Sequence, residues 1–536
     1  NQKIRRAVCT MWVAILCLAS AHASVLSAPA EPPLTPENIN PRLVAAEYAV
    51  RGRLLDRAKE LESVGRRTVK CNIGNPQALG QRPLSWVRQV LSLVLNADLL
   101  EAAEAAACGS SDGEALRALF PPDAVARARV YVDAISSAGA YSDSQGVLCV
   151  REEVAHFLRE RDGCGSEARD VFLTDGASAG VRALLQALLG QPGVDAILAP
   201  SPVYPLYSAL STLLDGGAAL YPLTEDAAGT WGIRVSDLEA SLQLARARGS
   251  NVRALVVINP GNPTGQCMSA EEVAAVLEFA AREGLVLLAD EVYQANVYNG
   301  GPARTGKRRN DFHSFRRALA LLRQTKPQLA ARAQLVSMHS TSKGFYGECG
   351  LRGGFFALDG NWDDGVRSQL VKLASICLCS NVVGQLAMGL VVSPPRPGMP
   401  SHDTFAAERG AILESLRARA DTLAAALDAL PGVTCAPAEG ALYLFPRIAL
   451  PPAAVAAARE AGVAPDELYA MRLLDATGLV VVPGSGFGQP DPEAYHVRTT
   501  FLPPADQLEQ VTSAIAAFHR SFVDEFATPA AAAATA

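Results

Sequence analysis

Between about residues 170 and 340, apolar residues recur in short, nearly continuous runs, each followed by a cluster of small and polar residues. The runs at 171–174, 196–198, 254–258, 285–288 and 335–337 are rich in Val, Ile and Leu, and too short for buried helices. The pattern predicts strands there. Helical spacing predicts helices over 151–161 before the runs, after Ser178 through Leu189, and over about 270–282. Strands that are apolar on both faces and alternate with helices imply an α/β fold with a mostly parallel sheet covered on both sides. Such sheets bind ligands beyond the C-terminal ends of their strands. The polar clusters fall there: Gly176-Ala177-Ser178, Pro202-Val203-Tyr204, Asn259-Pro260-Gly261-Asn262, Asp290-Glu291 and Ser340-Thr341-Ser342-Lys343.

The flanks read differently. Residues 43–64 have the spacing of one amphipathic helix, 74–83 form a Gly- and Pro-rich loop, and 84–99 return to helical spacing. Beyond residue 400, a long helix over 404–430 precedes short strand candidates at 440–445, 478–482 and 495–501, which predicts a smaller α/β domain. The expected division is a targeting segment (1–30), an N-terminal segment joining the small domain (31–99), a large domain (100–390), a small C-terminal domain (391–525) and a low-complexity tail (526–536).

Residues 1–30 contain Lys3, Arg5 and Arg6, no acid, and an apolar run ending in Ala21-His22-Ala23. This resembles a secretory signal, and the lack of acids also suits an organellar transit peptide. A mitochondrial or cytoplasmic destination is the expectation for the remainder, with no membrane span. Composition narrows the function classes. The 536 residues are 49% hydrophobic and 19% charged, with 48 basic against 54 acidic side chains. A net charge of -6 leaves no footprint for nucleic acid or an anionic membrane. Eleven cysteines without a Cys-x-x-Cys pair, and seven histidines without His-Glu-x-x-His spacing, argue against a zinc site or disulfide framework. No metal is expected.

The strand-end residues carry the candidate chemistry. Gly176-Ala177-Ser178-Ala179-Gly180 reads in two ways. It matches the nucleophile elbow of a serine hydrolase, and it is also a small-residue turn offering a helix N-terminus and a hydroxyl to a phosphate. Lys343, crowded by hydroxyls and glycines, suits covalent bonding to a cofactor aldehyde. Asp290 suits pairing with a cationic ring nitrogen. Arg498 has the planar fork that grips a carboxylate.

Taken together and in this order, these residues are similar to the fold-type I pyridoxal-phosphate aminotransferases. The matching stretches are 72–74, 141–146, 172–178, 204–208, 259–265, 289–293, 339–344, 347–350 and 482–488, within a resemblance spanning about 40–525. The runs around Lys343 and Gly484 are closest to the alanine-using group. The resemblance implies pyridoxal 5'-phosphate as cofactor, small amino acids and 2-oxo acids as substrates, and a homodimer. It implies that Lys343 forms the Schiff base and shuttles the proton, that Asp290 partners the ring nitrogen, and that Tyr293 and Asn262 contact the ring hydroxyl. Ala177, Ser178, Ser340 and Arg352 would cradle the phosphate, joined by Tyr141 from a second subunit. Tyr204 would stack on the ring, and Arg498, Asn262 and the Gly74 backbone would take the substrate carboxylate. After Gly74 the chain departs from the family, with Asn75-Pro76-Gln77 where an acid and a histidine are expected. Transfer between L-alanine and 2-oxoglutarate is the first expectation, and glutamate–glyoxylate transfer the second. A hydrolase would use Ser178 with Asp290 and His496, leaving Lys343 and Arg352 without a role. A pyridoxal-phosphate-binding regulator would need a DNA-binding module that the sequence does not supply.

Overall fold

The computed structural model describes residues 34–48, 52–107, 113–298, 310–489, 491 and 493–527. The expected targeting segment, the basic cluster at 307–309 and most of the C-terminal tail lie outside these residues. Two compact units divide at residue 46. In the first, Pro41 opens a short helix, Pro41–Ala45, capped by the Asn40 side chain. The second contains everything else, including the candidate site.

The apolar runs form one seven-stranded sheet. Its strands are β1 (Val171–Asp175), β2 (Asp195–Ser201), β3 (Gly217–Pro222), β4 (Asn251–Ile258), β5 (Val286–Asp290), β6 (Gln334–Ser340) and β7 (Gly353–Gly360). They lie in the order β1-β7-β6-β5-β4-β2-β3. Pairing is parallel except for β7, which runs antiparallel to both β1 and β6. The alternation of side chains across a strand explains the unbroken apolar runs. Leu255 and Val257 of β4 enter one core with helix Ala270–Glu283, whereas Val256 and Ile258 enter another with helix Ala177–Leu188. β4 is therefore buried on both faces, and the six parallel strands β1 to β6 end on the same edge.

Sequence spacing missed β3 and β7. Gly353 and Gly354 dilute the start of β7, but they are needed. A side chain at Gly354 would collide with the backbone of Gly176, and one at Gly353 with the Gly384 carbonyl. The expected helix over 43–64 is also corrected. Ala46 is extended, and a separate helix, Arg53–Ser63, starts after the extended residue Gly52. The 84–99 pattern likewise breaks at extended Asn96, between Ser85–Leu95 and Ala97–Ala107.

Beyond residue 400, helices His402–Asp428 and Ala505–Glu525 contribute to a separate core, with Leu416, Leu423, Phe501 and Ile515 buried in it. Strand Tyr495–Thr500 is the centre of a small sheet there, pairing with Tyr443–Leu444, Arg447–Ile448 and Val482–Pro483. The N-terminal Val69–Lys70 pairs in parallel with Leu479–Val480. This pairing brings the 72–74 stretch close to Arg498, since Thr500 N donates to the Cys71 carbonyl.

Candidate active site

A cavity of about 340 Å³ opens at the strand-end edge of the large sheet. Gly74, Ala177, Ser178, Tyr204, Asn262, Asp290, Tyr293, Ser340, Lys343, Arg352 and Arg498 all line it. Of the site residues implied by the transaminase resemblance, only Tyr141 lies elsewhere. It is 80% exposed and takes no part in this chain's cavity.

One end of the cavity is built from the sheet. Asp290, the last residue of β5, is buried. Its Oδ2 accepts from the Tyr207 hydroxyl at 2.8 Å, and its Oδ1 has only a long contact from Val292 N at 3.4 Å. Burial pushes the carboxyl above its ordinary range, while the Tyr207 and Val292 bonds and the charge of Lys343 pull it back. A buried carboxylate with spare acceptor capacity suits a cationic partner. Lys343 follows β6, and its Nζ donates to the Gly74 carbonyl at 2.7 Å, 5.9 Å from the centre of the Tyr293 ring. The turn after it is pinned by Gly344 N donating to Asn296 Oδ1 at 2.7 Å.

The helix that starts at Ala177 has no side-chain cap, so its first N–H groups remain available to an anion. Gly176, at φ 73°, lets the Arg352 guanidinium lie against it; any Cβ there would meet Arg352 Nη2 at 2.4 Å. Arg352 is held by Ser342 Oγ at 3.2 Å and by the Cys349 and Asp175 carbonyls at 3.0 and 3.1 Å. An uncapped helix start, two serines and an arginine form a donor set for a phosphate, and with Asp290 and Lys343 they fit pyridoxal phosphate.

The other end is built around Arg498, which is 1% exposed. Its Nη1 donates to Asn262 Oδ1 at 2.9 Å, and its Nη2 to the Asn72 carbonyl. Its guanidinium lies 4.2 Å from the centre of the Tyr443 ring and 4.8 Å from that of Phe487. Arg498 Nε is buried without a hydrogen-bond partner. A carboxylate would satisfy that donor. Tyr48 closes another wall, its hydroxyl 2.6 Å from that of Tyr204.

Several of these residues had no role in the sequence reading. Tyr207 and Asn72 fall within matching stretches, but nothing in the residue pattern marked what they touch. Phe487 also falls within a matching stretch, whereas Tyr48 and Tyr443 come from other segments and no motif marked them. Within the chain, the Gly74 carbonyl accepts from Lys343 and the Asn262 side chain accepts from Arg498. Gln77 belongs to the Arg88–Glu348 ion pair, its Oε1 accepting from Arg88 at 3.2 Å, while Asn75 lines the cavity.

The hydrolase reading fails on its histidine. His496 is fully buried outside the cavity, with Nε2 3.1 Å from Glu225 Oε2 and its ring stacked 4.7 Å from Phe445. No histidine lines the cavity, and Asp290 is bonded to Tyr207. Among the described residues there is no cluster of metal ligands, and no helix is long and apolar enough to cross a membrane.

The chain is similar to known proteins. The family described as aminotransferase class I and II matches residues 109–515. Mitochondrial alanine aminotransferase 2 of Arabidopsis thaliana is 46% identical over 505 residues, covering 92% of this chain and 88% of that protein. Glutamate–glyoxylate aminotransferase 1 of the same plant is 43% identical over 491 residues, covering 91% and 96%. Among solved structures, an aminotransferase from Escherichia coli superposes with a TM-score of 0.68 at 24% identity, over 92% of this chain and all of that one. A cavity with a strand-end lysine, a buried aspartate and a phosphate cradle, found in a chain this similar to named transaminases, leads to one conclusion: the chain belongs to the class I and II aminotransferases, a pyridoxal-phosphate-dependent enzyme family.

Proposed function

We propose that the chain moves an amino group between L-alanine and 2-oxoglutarate, giving pyruvate and L-glutamate in a ping-pong sequence. The observation that carries this reading is the buried Arg498 fork, with an unpartnered Nε, in the same cavity as Lys343 and Asp290. It supports a carboxylate clamp acting beside a lysine and a buried carboxylate. When bound, pyridoxal phosphate supplies an aldehyde that exchanges amino groups and a ring that takes up electrons.

The chain's own residues then divide the work. The Ala177–Ser178 turn, Ser340 and Arg352 bind the phosphate. Asp290 keeps a proton on the ring nitrogen by placing a negative charge against it, and Tyr207 orients that carboxylate. Tyr293 and Asn262 hold the ring hydroxyl, and Tyr204 covers the ring face. Arg498 fixes the substrate carboxylate, which aims the α-hydrogen. Lys343 Nζ holds the cofactor and then carries the α-proton.

Alanine as donor rests on similarity to relatives with that name. A second reading, glutamate–glyoxylate transfer, is favoured by the 43% identity to an enzyme named for it. Steady-state rates with alanine plus 2-oxoglutarate, and with glutamate plus glyoxylate, decide between them. Parallel double-reciprocal lines and the higher kcat/KM for the first pair are expected; a higher value for the second overturns the alanine assignment.

Exposed Tyr141 acquires a role in a homodimer, reaching the phosphate in the partner's cavity. Mixed Tyr141→Ala and Lys343→Ala subunits then regain activity that neither variant has alone. Exchanged subunits without recovery contradict that role. The mitochondrial names of relatives support an organellar location, which fractionation of cells checks.

A further inference from the structure

Tyr443 sits where the two ends of the site meet, and no motif named it. Its ring is 3% exposed and carries the Arg498 guanidinium 4.2 Å from its centre. Its hydroxyl accepts from Tyr293 at 3.3 Å. The same hydroxyl presses on Gly74, where an added Cβ would lie 2.3 Å from it and 3.3 Å from Lys343 Nζ. Gly74 in turn holds Lys343 through its carbonyl. Burial alone would raise the phenol, yet the charges of Lys343 and Arg498 and the Tyr293 bond leave it below its ordinary value.

The local backbone is shaped to put the ring there. Ala441, two residues earlier, has φ 61°, a left-handed conformation that costs a side chain energy and persists only where its surroundings enforce it. Ala441 N donates to the Asn296 carbonyl at 3.0 Å, and the Ala441 carbonyl accepts from the Tyr298 hydroxyl at 2.7 Å. Thr500 Oγ1 donates to the Leu442 carbonyl at 2.7 Å, which ties this turn to the Arg498 strand. The guanidinium also lies 4.8 Å from the centre of the Phe487 ring. A fork packed against two rings is restrained, and its Nε is buried without a hydrogen-bond partner.

From this arrangement we infer that Tyr443 is a positioning residue for substrate: its ring face orients the Arg498 fork toward the carboxylate, and its hydroxyl anchors Tyr293 beside Lys343. The inference rests on the transaminase reading of the cavity. It separates two properties of one side chain. The ring governs carboxylate binding, and the hydroxyl governs turnover.

The test compares holoenzyme carrying Tyr443→Phe or Tyr443→Met with the unaltered protein. Propionate, a small carboxylate with no amino group to transfer, is the probe, and its inhibition constant against alanine turnover is measured beside KM and kcat. The Met variant keeps the bulk but loses the ring face, so the propionate constant and the alanine KM both rise about ten-fold, the scale of one desolvated cation–ring contact. The Phe variant restores both to within about two-fold, while its kcat stays several-fold low for want of the hydroxyl. An unchanged propionate constant in the Met variant, or an equal loss in the Phe variant, overturns the ring's role. Unchanged kcat in the Phe variant overturns the hydroxyl's. If melting shows that the Met variant does not fold, Phe487→Met removes the second ring packed against the same guanidinium and carries the same expectation. Unaltered protein that transaminates no amino acid sinks the functional reading itself, a result separate from any of these.

Discussion

The two ends of the cavity are built in different ways. At the cofactor end, Ala177, Ser178, Asp290, Ser340, Lys343 and Arg352 sit at, or close to, strand ends of one sheet; Asp290 and Arg352 are hydrogen-bonded there, and Lys343 reaches across to the Gly74 carbonyl. At the carboxylate end, Arg498 is held by Asn262, 236 residues away, and by Asn72, 426 residues away. Tyr443 and Phe487 then cover it from two further segments. The first end is a product of sheet topology and requires only that parallel strands end together. The second exists only when the N-terminal stretch, the loop after β4 and the C-terminal strands have all come together. On the proposed reading, cofactor contacts fall at the sheet edge and substrate contacts on the assembled end.

If that division is right, variants should sort by end. The largest effect belongs to Lys343→Ala. It removes both the covalent anchor and the proton carrier, so kcat falls by at least about 10⁴-fold. The protein should still bind some cofactor, as retained absorbance after gel filtration would show. Next comes Asp290→Asn. The amide cannot stabilise a cationic ring nitrogen, and stopped-flow proton abstraction should slow by about 10²–10³-fold with cofactor retained.

Asp290 also makes a stability prediction for cofactor-free protein. Its folded value is raised by burial, so its ionised form opposes folding. Stability linked to it is present below the unfolded carboxyl value of about 3.9 and is lost as pH rises through the folded one. Cofactor-free Asp290→Asn should therefore melt no lower than the parent protein at neutral pH, with any advantage disappearing toward pH 3. A lower melting temperature at neutral pH would show that the aspartate is satisfied without a cation.

At the other end, Arg498→Lys keeps the charge but loses the fork. The alanine KM should rise about 10–100-fold with cofactor affinity unchanged. A fall in cofactor affinity instead would erase the division between the ends. The smallest effect is expected from Ser178→Ala, a loss of about 1–3 kcal/mol in cofactor binding, measured by titration of cofactor-free protein. Activity should recover at saturating cofactor.

The same contrast explains what was legible in the sequence. Lys343, Asp290 and Ser178 stand at the ends of apolar runs, and a run followed by a polar cluster is a local signal. Five of the six strands that end at this edge, all but β3, were visible for the same reason. β7 was not, because Gly353 and Gly354 serve close backbone approach and interrupt the apolar run. The 43–64 pattern misled because amphipathic spacing survives on both sides of a break at extended Ala46 and Gly52. Arg498 was singled out, but what surrounds it was not. Tyr443 and Phe487 read as ordinary core aromatics, and their meeting over one guanidinium depends on pairings hundreds of residues apart.

The central claim is that Lys343 and Arg498 serve one reaction in one cavity. A single half-reaction tests it most directly. Purified protein loaded with pyridoxal phosphate is mixed with L-alanine and no acceptor, and the cofactor spectrum and released pyruvate are followed together. The account predicts one pyruvate per cavity, conversion of the cofactor absorption from its aldehyde to its amine form, and reversal on adding 2-oxoglutarate. Loaded protein that leaves its spectrum unchanged and releases no pyruvate would contradict it.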